Sequence, residues 1–416
     1  MENREPHGRH LAAHRFGATP VPRSTMRRVL TCGGFAVAAL LPSAHGLAQS
    51  LPQGIRWPTI EGGQPVTRIV LLGKPHLEIG TADGPDPTLL SGVIGAVRME
   101  DGRIAIGDAA TNRVLVFDSA GSFVTALGRT GDGPGEFRLP RWLGRCANDQ
   151  LAVYDAAHNS VSLFSATGTL TGSLPLPPIV SFDRMVWCAD QRSAFMLFNQ
   201  PRDQVYPGEH LAIPVSLVRI STGARVDTLF AGGIQDYYSA KRIGAVADVP
   251  LGRAILVAAG THGVYTCRNA DGEVSVFDTA GSPVRHFRLQ IRPVAFSAGY
   301  WPKAKQSRID AEPLARSRKV LEAVLDEIAP PSAFPVVDQL QADVNDNLWV
   351  RTFDNYQSAV ATWLVLDPSG RPLATVAIPR ELQALQIGDG YLLGLARDAE
   401  GVERVSLRFF PPLRRQ

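Results

Sequence analysis

Four arginines, Arg129, Arg138, Arg141 and Arg351, stand in turn-rich stretches alongside Glu136, His158, Asp354 and Tyr356. Guanidinium groups offer paired donors that match a carboxylate, so this set suits an acidic or carboxylate-bearing partner. The competing reading is that the arginines pair with nearby acids and merely solvate a rim. Catalytic chemistry has less to work with. His76, His158, His210, His262 and His286 are scattered, without the paired spacing of metal ligands. No serine sits in a nucleophile-elbow motif. Gly131–Phe137 is rich in glycine but lacks the Lys-Ser/Thr pair and following helix of a phosphate cradle. Asp108 with Asn112, and Asp155 with Asn159, read as turn and cap residues that hold backbone N–H groups. No catalytic residue, metal or cofactor is assigned.

Whatever these residues do, repeated strands must position them. Residues 104–127 recur without a gap at 151–174, so that Asp155 falls on Asp108, Asn159 on Asn112, Phe164 on Phe117 and Gly168 on Gly121. The frame returns at 264–284, more weakly at 217–229 and 364–376, and last at 391–409, where the chain runs out after a third strand. Alternation in Val114–Phe117 and Val274–Phe277 has the period of two that marks strands. Asp101-Gly102, Asp271-Gly272 and Asp389-Gly390 are tight-turn pairs. Short strands at this spacing describe four-stranded blades. With 39 Gly, 31 Pro and only 19 % charged residues, the composition agrees. Counting copies gives six, with the strands at 66–72 and 77–80 available to complete the last blade and remove open sheet edges. The expected fold is all-β: a six-bladed β-propeller closed by strands from both termini, with one helical insertion at 302–331.

Arg113–Phe137, which ends in Gly-Pro-Gly-Glu-Phe, resembles an NHL repeat followed by its inter-blade loop. The chain is thus similar to bacterial exported six-bladed propeller proteins, in which a charged helical insertion also precedes a strand like Asn347–Arg351. The likeness spans roughly 66–410 and is sharp only in the first two blades. It implies a fold more strongly than an activity, because members of that group mostly lack an assigned chemistry.

Ahead of the repeats, Met26-Arg27-Arg28, an apolar run from Val29 to Leu41 and Gly46-Leu47-Ala48 before Gln49 read as a signal peptide. We divide the chain into a leader at 1–48, whose start could be Met26, and a single propeller domain at 49–416. Of 42 basic and 39 acidic residues, the leader holds six Arg and two Glu. The remainder is near neutral, which removes the electrostatic basis for nucleic-acid binding. No later segment has about 18 uninterrupted apolar residues, so no transmembrane segment is expected. Periplasmic or secreted localisation and a monomer follow. Cys146 and Cys188, 42 residues apart, occupy equivalent places before the first turn of neighbouring blades. Bonding needs a Cα separation of about 4.4–6.8 Å, which inner strands of adjacent blades could exceed, so the pairing stays open. Cys267 is expected to be buried and unpaired.

Strand alternation sorts the connections. Turns from second to third strand and connections between blades share one face of the ring. That face collects the 128–142 loop, the 201–214 insertion and the helical insertion, where Leu314, Leu321, Val324, Leu325 and Ile328 form an apolar stripe. The expected function is non-enzymatic: a binding or scaffold propeller that recognises a peptide, glycan or envelope protein there, through Arg129, Glu136, Arg138, Arg141, His158, Arg351, Asp354 and Tyr356. The alternative is a metal-dependent lactonase- or lyase-like enzyme working in the channel.

Overall fold

The structure, a computed structural model, describes residues 68–70 and 74–413, apart from 177–185, 191–192, 200–203, 222–224, 292, 296 and 354–358. The leader, the start at Met26 and the cleavage before Gln49 lie outside the described residues, as do Asp354 and Tyr356.

The described strands form six sheets. Blade 1 runs Val93–Arg98, Ile104–Asp108, Arg113–Phe117 and Phe123–Leu127 from the inside outwards. Blade 2 follows with Pro140–Arg145, Leu151–Asp155, Ser160–Phe164 and Leu170–Pro175. Blade 4 holds Ile255–Ala259, Gly263–Arg268, Glu273–Asp278 and Pro283–Arg288. Blade 5 holds Val337–Ala342, Leu348–Thr352, Val360–Leu366 and Pro372–Pro379. The middle strands of blade 1 are buried on both sides. Val114 and Val116 pack towards blade 2, whereas Leu115 and Phe117 pack towards blade 6. The tight turns between strands place their residues in left-handed backbone, where a Cβ is costly: Asn112 at φ 55°, Asn159 at φ 52°, Gly121 at φ 86°.

The ring closes as the repeats suggested, with a refinement. Blade 6 is Gln383–Gly388, Tyr391–Arg397 and Glu403–Phe409, completed on the outside by Leu77–Ile79, antiparallel with Leu77 opposite Leu407. The preceding strand, Arg68–Val70, pairs instead with the outer strand of blade 5, in parallel. The N-terminal segment therefore joins two blades rather than one.

Blade 3 departs from the repeat. Behind Val186–Asp190 and Ser193–Asn199, its third and fourth strands, His210–Ser221 and Arg225–Ser239, run on past the blade as a long bulged hairpin. A fifth strand, Val246–Asp248, pairs with the end of that hairpin at Tyr237–Ser239. Of the 201–214 insertion, residues 210–214 belong to this hairpin, whereas 204–209 form the loop and turn that lead into it. The helical insertion holds two helices, α1 (Trp301–Asp310) and α2 (Ala315–Leu325), not the single apolar stripe that the sequence displayed. The first was hidden because it buries only Trp301 and Ala304.

The inner strands approach closely near the axis. A Cβ on Gly95 of blade 1 would meet the Leu143 carbonyl of blade 2 at 2.7 Å. The same closeness answers the open question about the cysteines. Cys146 and Cys188 form a disulfide between blades 2 and 3, with a Cα separation of 5.3 Å. Cys267 is free and buried, and burial drives its thiol pKa up.

Candidate functional site

On the face that carries the inter-blade connections, the insertion lies over the ring. Its base is held by Phe334, whose ring packs 4.7 Å from Phe353 of blade 5 and 5.7 Å from Tyr300. Leu321, Val324 and Leu325 of α2, with Trp301 and Ala304 of α1, pack on Tyr238 and Ala247 of the blade 3 extension. That shared apolar core explains why the hairpin outgrows its blade: it is the platform for the helices.

The link between α1 and α2 reaches the other side of the mouth. Arg141, at the start of the inner strand of blade 2, pairs with Glu312 at 2.9 Å. Arg397 of blade 6 donates to the Asp310 carbonyl and to Glu403. Arg318 donates to the carbonyls of Glu312 and Pro313. A Cβ on Gly92, just before blade 1, would come within 3.4 Å of the Pro313 carbonyl. One strap thus touches blades 1, 2, 3 and 6. The 128–142 loop and the helical insertion share a face, as strand alternation requires.

Between α2 and the blade 3 extension lies a cavity of about 460 Å³. Ala245, Val246, Val320 and Val324 give it an apolar wall, and Arg141, Arg308 and Arg316 a cationic one. Arg308 pairs with Asp248 at 2.8 Å and Arg141 with Glu312. Arg316 is exposed and, among the described residues, has no acid or hydrogen-bond partner.

The other arginines singled out from the sequence are separated into local pairs. Arg129 donates to Glu136 within the 128–142 loop, while Glu136 also accepts from the Gly133 N–H. The Gly133 bond and then Arg129 hold the Glu136 carboxyl below its usual range. Arg138 grips Asp132 with two bonds, and His158 approaches the same carboxylate at 3.1 Å. Arg138 first, then His158, draws the Asp132 pKa well down. Arg351 lies within blade 5, bonded to Asp338 at 2.8 Å and set over the Trp363 ring. Of these residues, only Arg141 lines the cavity. Sequence reasoning missed Arg308, Glu312 and Arg316, whose relation to Arg141 depends on how an insertion more than 160 residues away folds back. The charged face of α2 was visible, but not what it would face.

Asp108 and Asp155 hold backbone rather than ligand. Asp155 accepts from the N–H groups of Ala157 and His158 in its own turn and from Arg138 and Leu139 in the incoming connection. Asp108 does the same with Ala110, Thr111 and Ser91. Among the described residues, no three His, Cys, Asp or Glu side chains gather as a metal site.

A family model described as 6-bladed beta-propeller matches residues 86–203, which carry blades 1 and 2 and the opening of blade 3. No curated protein matches the sequence. Among solved structures, the chain is similar to a Bacteroides fragilis protein described as exported, at 14 % identity and TM-score 0.43, covering 82 % of this chain and 99 % of that one. A DUF4221-family member from Bacteroides vulgatus matches at 8 % identity and TM-score 0.43, over 81 % and 97 %. A gluconolactonase from Xanthomonas campestris matches at 12 % identity and TM-score 0.38, over 77 % and 86 %. Among the described residues, no helix is long and apolar enough to cross a membrane. With its six sheets closed into a ring and residues 86–203 similar to that family, the chain is a six-bladed β-propeller.

Proposed function

We propose that this protein is an exported binding propeller that takes a carboxylate-bearing ligand, a peptide or an acidic segment of an envelope protein, at the strapped mouth of its ring. The observation that carries the reading is Arg316, an exposed guanidinium without a partner among the described residues, set beside Arg141 and Arg308 over an apolar wall. A guanidinium fork binds a carboxylate through paired hydrogen bonds, and the adjoining Val320 and Val324 suit an aliphatic side chain next to it. Arg129, Glu136, Arg138 and His158 would form the outer rim of the same surface, and Arg351 its blade 5 side. Export rests on the order of basic, apolar and small residues in 27–48 and on the disulfide, which suits an oxidising compartment. N-terminal sequencing of periplasmic or secreted material should begin within a few residues of Gln49. No observation among the described residues favours the metal-dependent alternative.

The test is a mixed-sequence peptide array carrying free C-terminal carboxylates, read against the wild type and Arg316→Ala. Capture by the wild type and its loss in the variant, at equal Tm, is the expected result. Equal capture by both would refute the assignment of Arg316, and capture of amidated peptides as readily as acids would refute the carboxylate.

A further inference from the structure

On the outer strands of blade 4, three side chains that no motif joins in sequence form a chain of hydrogen bonds. Ser275 lies directly opposite His286 across the Glu273–Asp278 and Pro283–Arg288 strands. Residues so placed carry their Cβ atoms about 5 Å apart, close enough for side chains to meet. Ser275 Oγ is 3.0 Å from His286 Nδ1, and His286 Nε2 is 2.7 Å from Glu273 Oε1. We propose that Ser275, His286 and Glu273 form a nucleophilic serine relay, a second site apart from the mouth, able to accept an acyl group from an activated ester.

The hydrogen bonds fix the roles. An ionised Glu273 can only accept, so a neutral His286 carries its proton on Nε2 and leaves the Nδ1 lone pair for the Ser275 hydroxyl. This is the arrangement a general base requires: nucleophile, base and orienting carboxylate in hydrogen-bond reach. Burial first, then the charges of Arg268 and Arg288, lowers the His286 pKa and favours its neutral form. Glu273 is itself held by Arg268 and lies 3.5 Å from Arg288, which fixes its carboxylate. Ser275 is half-buried, not enclosed.

In the step proposed, Ser275 Oγ bonds to the carbonyl carbon of the ester. Its proton passes to His286 Nδ1. The carbon–oxygen bond to the alcohol then breaks, and that alcohol leaves with the proton. Water then attacks the acyl carbon and gives a proton to His286 Nδ1; the bond to Ser275 Oγ breaks, Oγ takes that proton back, and the carboxylic acid leaves. Water is the co-reactant, and no oxidant or metal enters the balance.

A fluorophosphonate probe and p-nitrophenyl acetate test this on the full chain. The expected result is covalent labelling of Ser275, located by peptide mass, with a burst of about one p-nitrophenol per chain. Ser275→Ala should abolish both. His286→Asn should slow labelling about 100-fold, the scale of general-base assistance, at an unchanged Tm. Glu273→Gln should slow it less, because the imidazole stays in place without its anionic partner. A folded wild type that takes no label overturns the proposal. So does label found on another serine, or labelling in His286→Asn as fast as in the wild type.

Discussion

Removing the Asp155 carboxylate should be among the costliest single changes in the propeller. The side chain is 1 % exposed and accepts four backbone N–H groups, two on each oxygen, at 2.7–3.0 Å. In Asp155→Ala all four lose their acceptor. An unsatisfied buried donor costs about 1–3 kcal/mol. These four are only part-buried, so the low end applies and the sum is about 4 kcal/mol. That is a large share of a typical stability of about 5–15 kcal/mol. Asp155→Asn should not rescue it, because one oxygen becomes an NH₂ that faces two donors. Asp108 holds three N–H groups, one of them at a long 3.3 Å, so Asp108→Ala should cost less. Equilibrium urea unfolding followed by tryptophan fluorescence gives both values. A loss below about 1 kcal/mol for Asp155→Ala, or a larger one for Asp108→Ala, would refute the view that these carboxylates pin turn to inter-blade connection.

Burial raises the Asp108 pKa above its ordinary 3.8, so a ¹³C-carboxyl titration should place its midpoint above that value. The native state then holds this proton more tightly than the unfolded chain. Asp108 therefore contributes stability that is full below pH 3.8 and is lost as pH rises through the native pKa; a midpoint at or below 3.8 contradicts this. Replacing Cys146 and Cys188 by serine opens a loop with a sequence separation of 42 and should cost about 4 kcal/mol, seen as a lower urea midpoint that reductant no longer shifts. Deleting residues 1–80 strips Leu77–Ile79 from blade 6 and bares the Glu403–Phe409 edge. Size-exclusion chromatography should then show aggregate, and a monomer that melts like the full chain would count against ring closure from both ends.

The fold was legible wherever a local demand forces a residue type. Asn112, Asn159 and Gly121 occupy left-handed turns, and apolar residues fill the middle strands, so blades 1, 2 and 4 announce themselves. Blade 3 does not. Its hairpin bulges between Val215 and Ser216 and between Leu217 and Val218, which breaks the period of two, and its excess length answers to the helices. The candidate site was legible only in part, for the same reason. Arg141 stood out as an arginine beside a blade, but its partner Glu312 comes from the insertion, and nothing local encodes that meeting. The disulfide depended on how near inner strands approach the axis, a property of the closed ring. Ser275 and His286 meet through cross-strand register, which a search for linear motifs does not examine.

The pairing of Leu77 with Leu407 sets the order in which the molecule can be made. The Leu77–Ile79 strand waits for one that leaves the ribosome about 330 residues later. Loop closure over that distance is entropically slow, and contacts of this kind lengthen folding times. Until blade 6 arrives, Leu77 and Ile79 have no sheet to join, and the half-built ring presents open edges to other chains. For a polypeptide that crosses a membrane before folding, the waiting happens on the far side. Leu77 and Ile79, still unpaired, are then open to a holding chaperone.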